Sequence, residues 1–177
     1  MRILALLVGL GSLIGAAHAQ TQAGANTDDA VISMRVKAAL IGSPATKASQ
    51  ITVESQRGVV QLSGFVDSPN MRATAEQIAR GVKGVTQVQN ELMLRDPDRT
   101  LGSAVDDTVI AAKIKSEIAG KAGLETATRV NVEVNNGVVA LSGFVATTDE
   151  KNRASAIAQG VEGVKNVHND IALKPQG

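Results

Sequence analysis

Beyond an apolar N-terminal run, hydrophobic positions switch between two periods, and the switches occur twice in the same order. Val31, Ile32, Val36, Ala39 and Leu40 recur at the spacing of an amphipathic helix, as do Val109, Ile110, Ile114 and Ile118. Asp28 and Asp106 stand at the heads of these runs and are expected as N-caps, where the helix dipole favours a carboxylate. The period then drops to two. In "VNVEVNNGVVALSGFV", Asn136-Gly137 is a hairpin signal, because both residues tolerate positive φ. Pairing outward from it sets Val134 opposite Val139, Val132 opposite Leu141 and Val130 opposite Gly143, with Val145 on the same face. Turn and apolar pattern agree on one register. Ile51, Val53, Val60, Leu62, Gly64 and Val66 form the matching face around the weaker turn Arg57-Gly58, with Ser55 its one polar member.

A second helical stripe follows each hairpin: Ala75, Ile78, Ala79 and Val82, then Ala154, Ile157, Ala158 and Val161. Ser68 with Pro69 reads as a capped start, and Thr147 to Glu150 as a capping box. Gly84 and Gly163 are expected in the left-handed position just past each helix. Val88, Leu92 and Leu94, matched by Val167, Ile171 and Leu173, form a last strand.

The two runs are one segment repeated. "GVVQLSGFV" (58–66) and "GVVALSGFV" (137–145) differ only at Gln61 versus Ala140, and the match extends outward over almost all of the chain beyond the N-terminal apolar run and its flank. The predicted fold class is α+β: two tandem small αββαβ domains, each a three-stranded mixed sheet with two helices on one face. The expected boundaries are 28–95 and 105–175, joined by a polar linker at 96–104 containing Pro97 and Gly102. Units of this size sit near the lower limit for a self-sufficient core, and no cysteine staples them, so docking of one on the other is expected to help.

Arg2, the short apolar run that follows and Ala17-His18-Ala19 have the pattern of a signal peptide at 1–19, with cleavage between Ala19 and Gln20. The run is too short to span a bilayer, so the mature chain is expected to be exported and soluble, without a transmembrane segment. Arg2 is one of 18 basic residues against 17 acidic ones, so the mature chain is charge-balanced. That balance argues against nucleic acid as a partner, and the absence of Trp and Tyr removes stacking platforms and a membrane-interface belt.

Candidate chemistry is sparse. His168 points outward by strand parity and lacks partners for a metal site or proton shuttle. The pairs Asp28-Asp29 and Asp106-Asp107 read as helix starts. Asn90 and Asn169 share inward parity with apolar neighbours and read as clamps to nearby loop backbone. Gly64 and Gly143, mid-strand on the inner face, read as sites of close helix packing. No catalytic, cofactor or metal site is expected. Parity sends Val59, Gln61, Ser63 and Phe65 away from the helices, as it does Val138, Ala140, Ser142 and Phe144. With only two helices per sheet this face is expected to be open. Val59, Phe65, Val138 and Phe144 are therefore candidate binding residues, or else a seam where one domain covers the other.

The "V-x-L-x-G-x-V" strand (Val60, Leu62, Gly64, Val66) and the "G-V-x-x-V-x-N-x-L" ending (Gly84, Val85, Val88, Asn90, Leu92) resemble the BON-domain family. Val139, Leu141, Gly143 and Val145, then Gly163, Val164, Val167, Asn169 and Ile171, repeat the likeness. Two such domains behind an export segment resemble its osmotically induced periplasmic members. The resemblance implies an αββαβ fold, a bacterial envelope address and a non-enzymatic role in envelope maintenance under stress. Phospholipid is the partner it implies; exposed apolar segments of envelope proteins, bound in a chaperone-like way through the candidate residues above, are expected as the other. A structural adaptor docking to another envelope protein is the alternative. The chain has no cysteine to acylate, unlike the family's lipoproteins. Mass spectrometry of protein released by osmotic shock is expected to find Gln20 at the N-terminus; retention of residues 1–19 would contradict the signal-peptide reading.

Overall fold

A computed structural model describes residues 17–46, 51–98 and 100–175, with side chains of the first helix described from Asp28 onward. The signal-peptide reading falls largely on residues 1–16, outside the described residues. The first unit runs α1 (Ala17–Ile41), β1 (Ile51–Gln56), β2 (Val59–Val66), α2 (Pro69–Arg80) and β3 (Gln87–Leu94). The second runs α3 (Leu101–Lys121), α4 (Leu124–Arg129), β4 (Val130–Asn135), β5 (Val138–Val145), α5 (Thr148–Gln159), β6 (Asn166–Asn169) and β7 (Ala172–Leu173). In each unit an antiparallel hairpin takes a parallel strand on its far side, in the order β1-β2-β3 and β4-β5-β6, with β7 also on β5.

The hairpin register is the expected one. Val134 faces Val139, Val132 faces Leu141 and Val130 faces Gly143; Ser55, Val53 and Ile51 face Val60, Leu62 and Gly64. These residues line the helix side of each sheet. Leu62 and Leu141 are wholly buried, as are Val36 and Leu40 from α1, Ile114 and Ile118 from α3, and Ala75, Ala79, Ala154 and Ala158 from the second helices. Alanine at four of these positions lets α2 and α5 lie close to their sheets. The expected caps form: Ser68 accepts from the Met71 amide with Pro69 opening α2, and Thr147 with Glu150 makes a complete capping box.

Three local expectations are corrected. Asp28 and Asp106 are not N-caps, because both helices begin earlier. Asp28 is an exposed residue inside α1, and α3 is capped by Thr100 reciprocally with Ser103. Their neighbours Asp29 and Asp107 are buried instead and reach the hairpin tips. Asp29 accepts from the Arg57 and Gly58 amides at 2.6 and 2.9 Å, and Asp107 from the Asn136 and Gly137 amides at 2.9 Å each. Both turns have positive φ at both central residues, which turns those amides out of the ladder and leaves them to be satisfied elsewhere. A carboxylate one helix away supplies charge-assisted bonds to both.

Gly84 and Gly163 do have positive φ, but α2 and α5 end sooner, at Gly81 and Gly160 in right-handed geometry. The third correction is at Gly143. Its φ is 117°, and a Cβ there would lie 2.0 Å from the Arg129 carbonyl oxygen. Backbone where α4 ends and β4 begins, rather than a helix packed across the sheet, therefore excludes a side chain.

Leu62→Ala and Leu141→Ala are each expected to destabilise their own unit by about 2–5 kcal/mol, as buried leucine truncations do. Chemical denaturation checks this, and a loss below about 0.5 kcal/mol, the surface range, would contradict the face assignment.

Candidate functional site at the seam of the two units

The sheet faces turned away from the helices are not open: they meet each other. Ser63 and Ser142, equivalent residues of the repeat, share a hydrogen bond at 2.7 Å between their hydroxyls. Around this point the contacts come in reciprocal pairs. Thr52 donates to Glu133 at 2.7 Å, and Asn131, the repeat equivalent of Thr52, donates to Glu54, the equivalent of Glu133, at 3.1 Å. The seam therefore has approximate twofold symmetry. Phe65 and Phe144 are buried on it, at 6 and 7% exposure, with Val59 and Val138 half-buried. Of the two alternatives left open by the sequence, the structure shows the seam: strand parity was read correctly, and each unit supplies the cover that the other lacks. At the periphery Arg57 donates to the Pro175 carbonyl, and Asp96, just past β3, takes part in bonds with Asn135 and Asn136.

Gln61 breaks the symmetry. Its carboxamide crosses the seam, accepting from the Gly143 amide at 2.7 Å and donating to the Asp170 carbonyl at 2.5 Å. It is 1% exposed, and both ends of its amide are satisfied. Ala140, at the equivalent position, has no group to return the contact.

A second symmetric pair lies beside it. Glu91 and Asp170 occupy equivalent positions. Burial pushes the Glu91 carboxyl above its ordinary pKa, and the charge of Asp170 pushes it further, against Arg72 and Lys151. Burial likewise raises Asp170, opposed by His168 and Lys151.

The remaining singled-out residues are structural. Asn90 donates to the Arg72 carbonyl and to Glu76, and Asn169 to the Lys151 carbonyl. They are clamps as expected, but onto the second helix and not onto a loop. Asn90's bond is the leading cause that holds Glu76 below its ordinary pKa. His168 is exposed. Among the described residues no group of three His, Cys, Asp or Glu could hold a metal, and no helix is long and apolar enough to cross a membrane. Sequence reasoning missed Gln61, Asp29 and Asp107. Gln61 did carry a signal, as the single difference between two otherwise identical nine-residue segments.

These features define a class: a tandem αββαβ protein whose two units dock through the sheet faces their helices leave bare. The BON domain profile matches residues 28–96 and 106–175, and the chain belongs to the BON-domain family. It is 38% identical over 148 residues to Osmotically-inducible protein Y of Escherichia coli, covering 83% of this chain and 73% of that one. An uncharacterized protein of Anaplasma centrale is 37% identical over 71% of this chain and 83% of its own. The outer membrane lipoprotein DolP of Haemophilus influenzae is 38% identical over 81 residues, 46% of this chain and 42% of its own.

The raised carboxyls give a signed pH dependence. An acid whose folded pKa is raised destabilises the folded state while ionised, and that penalty is relieved as pH falls through the folded pKa. It is absent below the unfolded value of about 4. Glu91→Gln and Asp170→Asn are therefore expected to raise the denaturation midpoint relative to the parent near pH 7, with the gap closing towards about pH 4. Carboxylates held low, such as Glu76, act in the opposite sense in parent and variants alike, so the comparison is made at each pH. A gap that widens on acidification would contradict the assignment.

Proposed function

We propose that this chain is a non-enzymatic, exported envelope-maintenance protein of the periplasm that acts under osmotic stress. On this reading it binds exposed apolar segments of other envelope proteins through Val59, Phe65, Val138 and Phe144 when the seam opens. One observation carries the reading. The only two aromatic residues of the chain are buried in an interface whose other identified contacts are largely hydrogen bonds. Interfaces of that polarity between domains of one chain resemble transient ones, and relative domain motion is the ordinary expectation for them. Opening would bare two matched strips, each a Phe and a Val, of the kind that marks contact surfaces. Similarity to Osmotically-inducible protein Y over most of both chains supports the stress role, and similarity to an outer membrane lipoprotein over one unit's length supports the envelope address. Phospholipid is the competing ligand for the same strips. Charge balance and the absence of Trp and Tyr favour protein segments over a membrane surface.

The test uses full-length protein and a chemically denatured envelope protein as client. Thr52→Ala with Asn131→Ala removes the reciprocal bonds without touching the phenylalanines, and is expected to increase suppression of client aggregation. Phe65→Ser with Phe144→Ser is expected to reduce it. Unchanged suppression in both variants would reject the reading. Flotation with anionic phospholipid vesicles that follows the same order, in place of client binding, would assign the strips to lipid.

A further inference from the structure

We infer that Gln61 is the residue that decides how the two units pair, and that it does so by replacing a backbone hydrogen bond inside the second unit's sheet. The argument begins in the first unit, where β3 is continuous from Gln87 to Leu94. Its parallel register sets Gly64 opposite Leu92, and the bond from the Arg95 amide to the Val66 carbonyl fixes which β2 residues face β3 with their polar groups. In that pattern the Gly64 amide is aimed at the Glu91 carbonyl. The equivalent groups in the second unit are the Gly143 amide and the Asp170 carbonyl. These are the two groups that Gln61 holds, one at each end of its carboxamide.

The consequence is visible in the strand. The counterpart of β3 is broken into β6, ending at Asn169, and β7, starting at Ala172. The flanking ladder bonds survive, from the Asp170 amide to the Leu141 carbonyl at 2.8 Å and from the Lys174 amide to the Val145 carbonyl at 2.9 Å. The interruption is confined to the place where the carboxamide enters. Nothing else in the repeat distinguishes the two central strands, since Gln61 and Ala140 are their only difference.

This makes the seam heterotypic despite its near symmetry. A first unit facing the first unit of a second copy would bury a carboxamide against an unbroken ladder, where its donor and acceptor find no partner, a costly arrangement. A second unit facing another second unit has alanine at the position and gains no such bond. Only a first unit on a second unit satisfies both ends of the carboxamide together with the two backbone groups it meets. Gln61 thereby selects the pairing available within one chain over self-pairing of either unit.

The test compares amide hydrogen exchange, read by NMR on the full chain, in the parent, in Gln61→Ala and in the exchange variant Gln61→Ala with Ala140→Gln. The Gln61 side-chain amide protons of the parent are expected to exchange slowly. In Gln61→Ala the segment 169–173 is expected to acquire the continuous strand protection and shifts of 90–94. In the exchange variant the interruption is expected to move to the first unit, at 91–92, with the new side-chain amide protected instead. The inference is overturned if the interruption stays at Asp170 in both variants, because Gln61 then fills a gap it does not make. It is also overturned, with no variant needed, if the parent's Gln61 side-chain amide exchanges at the rate of a free amide.

Discussion

A β-sheet has two faces, and each unit of this chain has helices for only one of them. That shortfall governs the rest of the structure. The inner face is filled by α1 and α2, or α3 and α5, over valine, leucine and isoleucine. The outer face must be solvated, bound to something else, or covered by the other unit. With the sequence repeated, the partner that fits is already present in the chain. A face brought against its own duplicate makes every off-axis donor–acceptor pair occur twice, once in each direction across the seam. This is why Thr52–Glu133 and Asn131–Glu54 occur as a pair and why two equivalent serines meet at the centre.

The inner and outer faces are coupled through the hairpin tips. A tight turn with positive φ at both central positions presents two amides that no strand can satisfy. Asp29 and Asp107 satisfy them from the first helix of each unit, which pins the helix to the same hairpin whose far side forms the seam. The contact is independent of apolar packing, so it fixes where the helix lies along the sheet as well as that it lies there.

Local order was legible in the sequence wherever two independent signals coincided. Asn136-Gly137 and the alternating valines specify one register between them, and Ser68-Pro69 and Thr147–Glu150 mark helix starts that form as read. The first helices were misread at their ends, because a carboxylate before an apolar stripe looks the same as an N-cap whether or not the helix continues upstream. The role of Asp29 and Asp107 was hidden for a related reason: their partners lie about thirty residues away, at a turn that the helix pattern does not encode. The outer face was read correctly as to residues and left undecided as to occupancy, since strand parity says which side a Phe takes and nothing about what covers it. Gln61 was visible as a difference, but a single polar residue among surface-facing positions carries no sign of burial until the opposing sheet is in place.

The seam divides its work between two kinds of contact. A neutral hydrogen bond contributes roughly 0.5–1.5 kcal/mol net, because water offers the same bond in the separated state. Burying a Phe side chain contributes about 1.5–3 kcal/mol, and water offers no substitute. Phe65 and Phe144 therefore supply much of the attraction between the units, yet apolar burial is non-directional and tolerates sliding or rotation. The polar contacts do not tolerate it. If the sheets shift by one residue pair, the Gln61 carboxamide loses both partners while still buried, and the penalty then exceeds anything the bonds contributed when made. The phenylalanines hold the units together, and Gln61 with the reciprocal Thr, Asn and Glu contacts decides the pose in which they are held. The one substitution that distinguishes the two copies of the nine-residue segment thus lies at the contact that tells one unit's face from the other's.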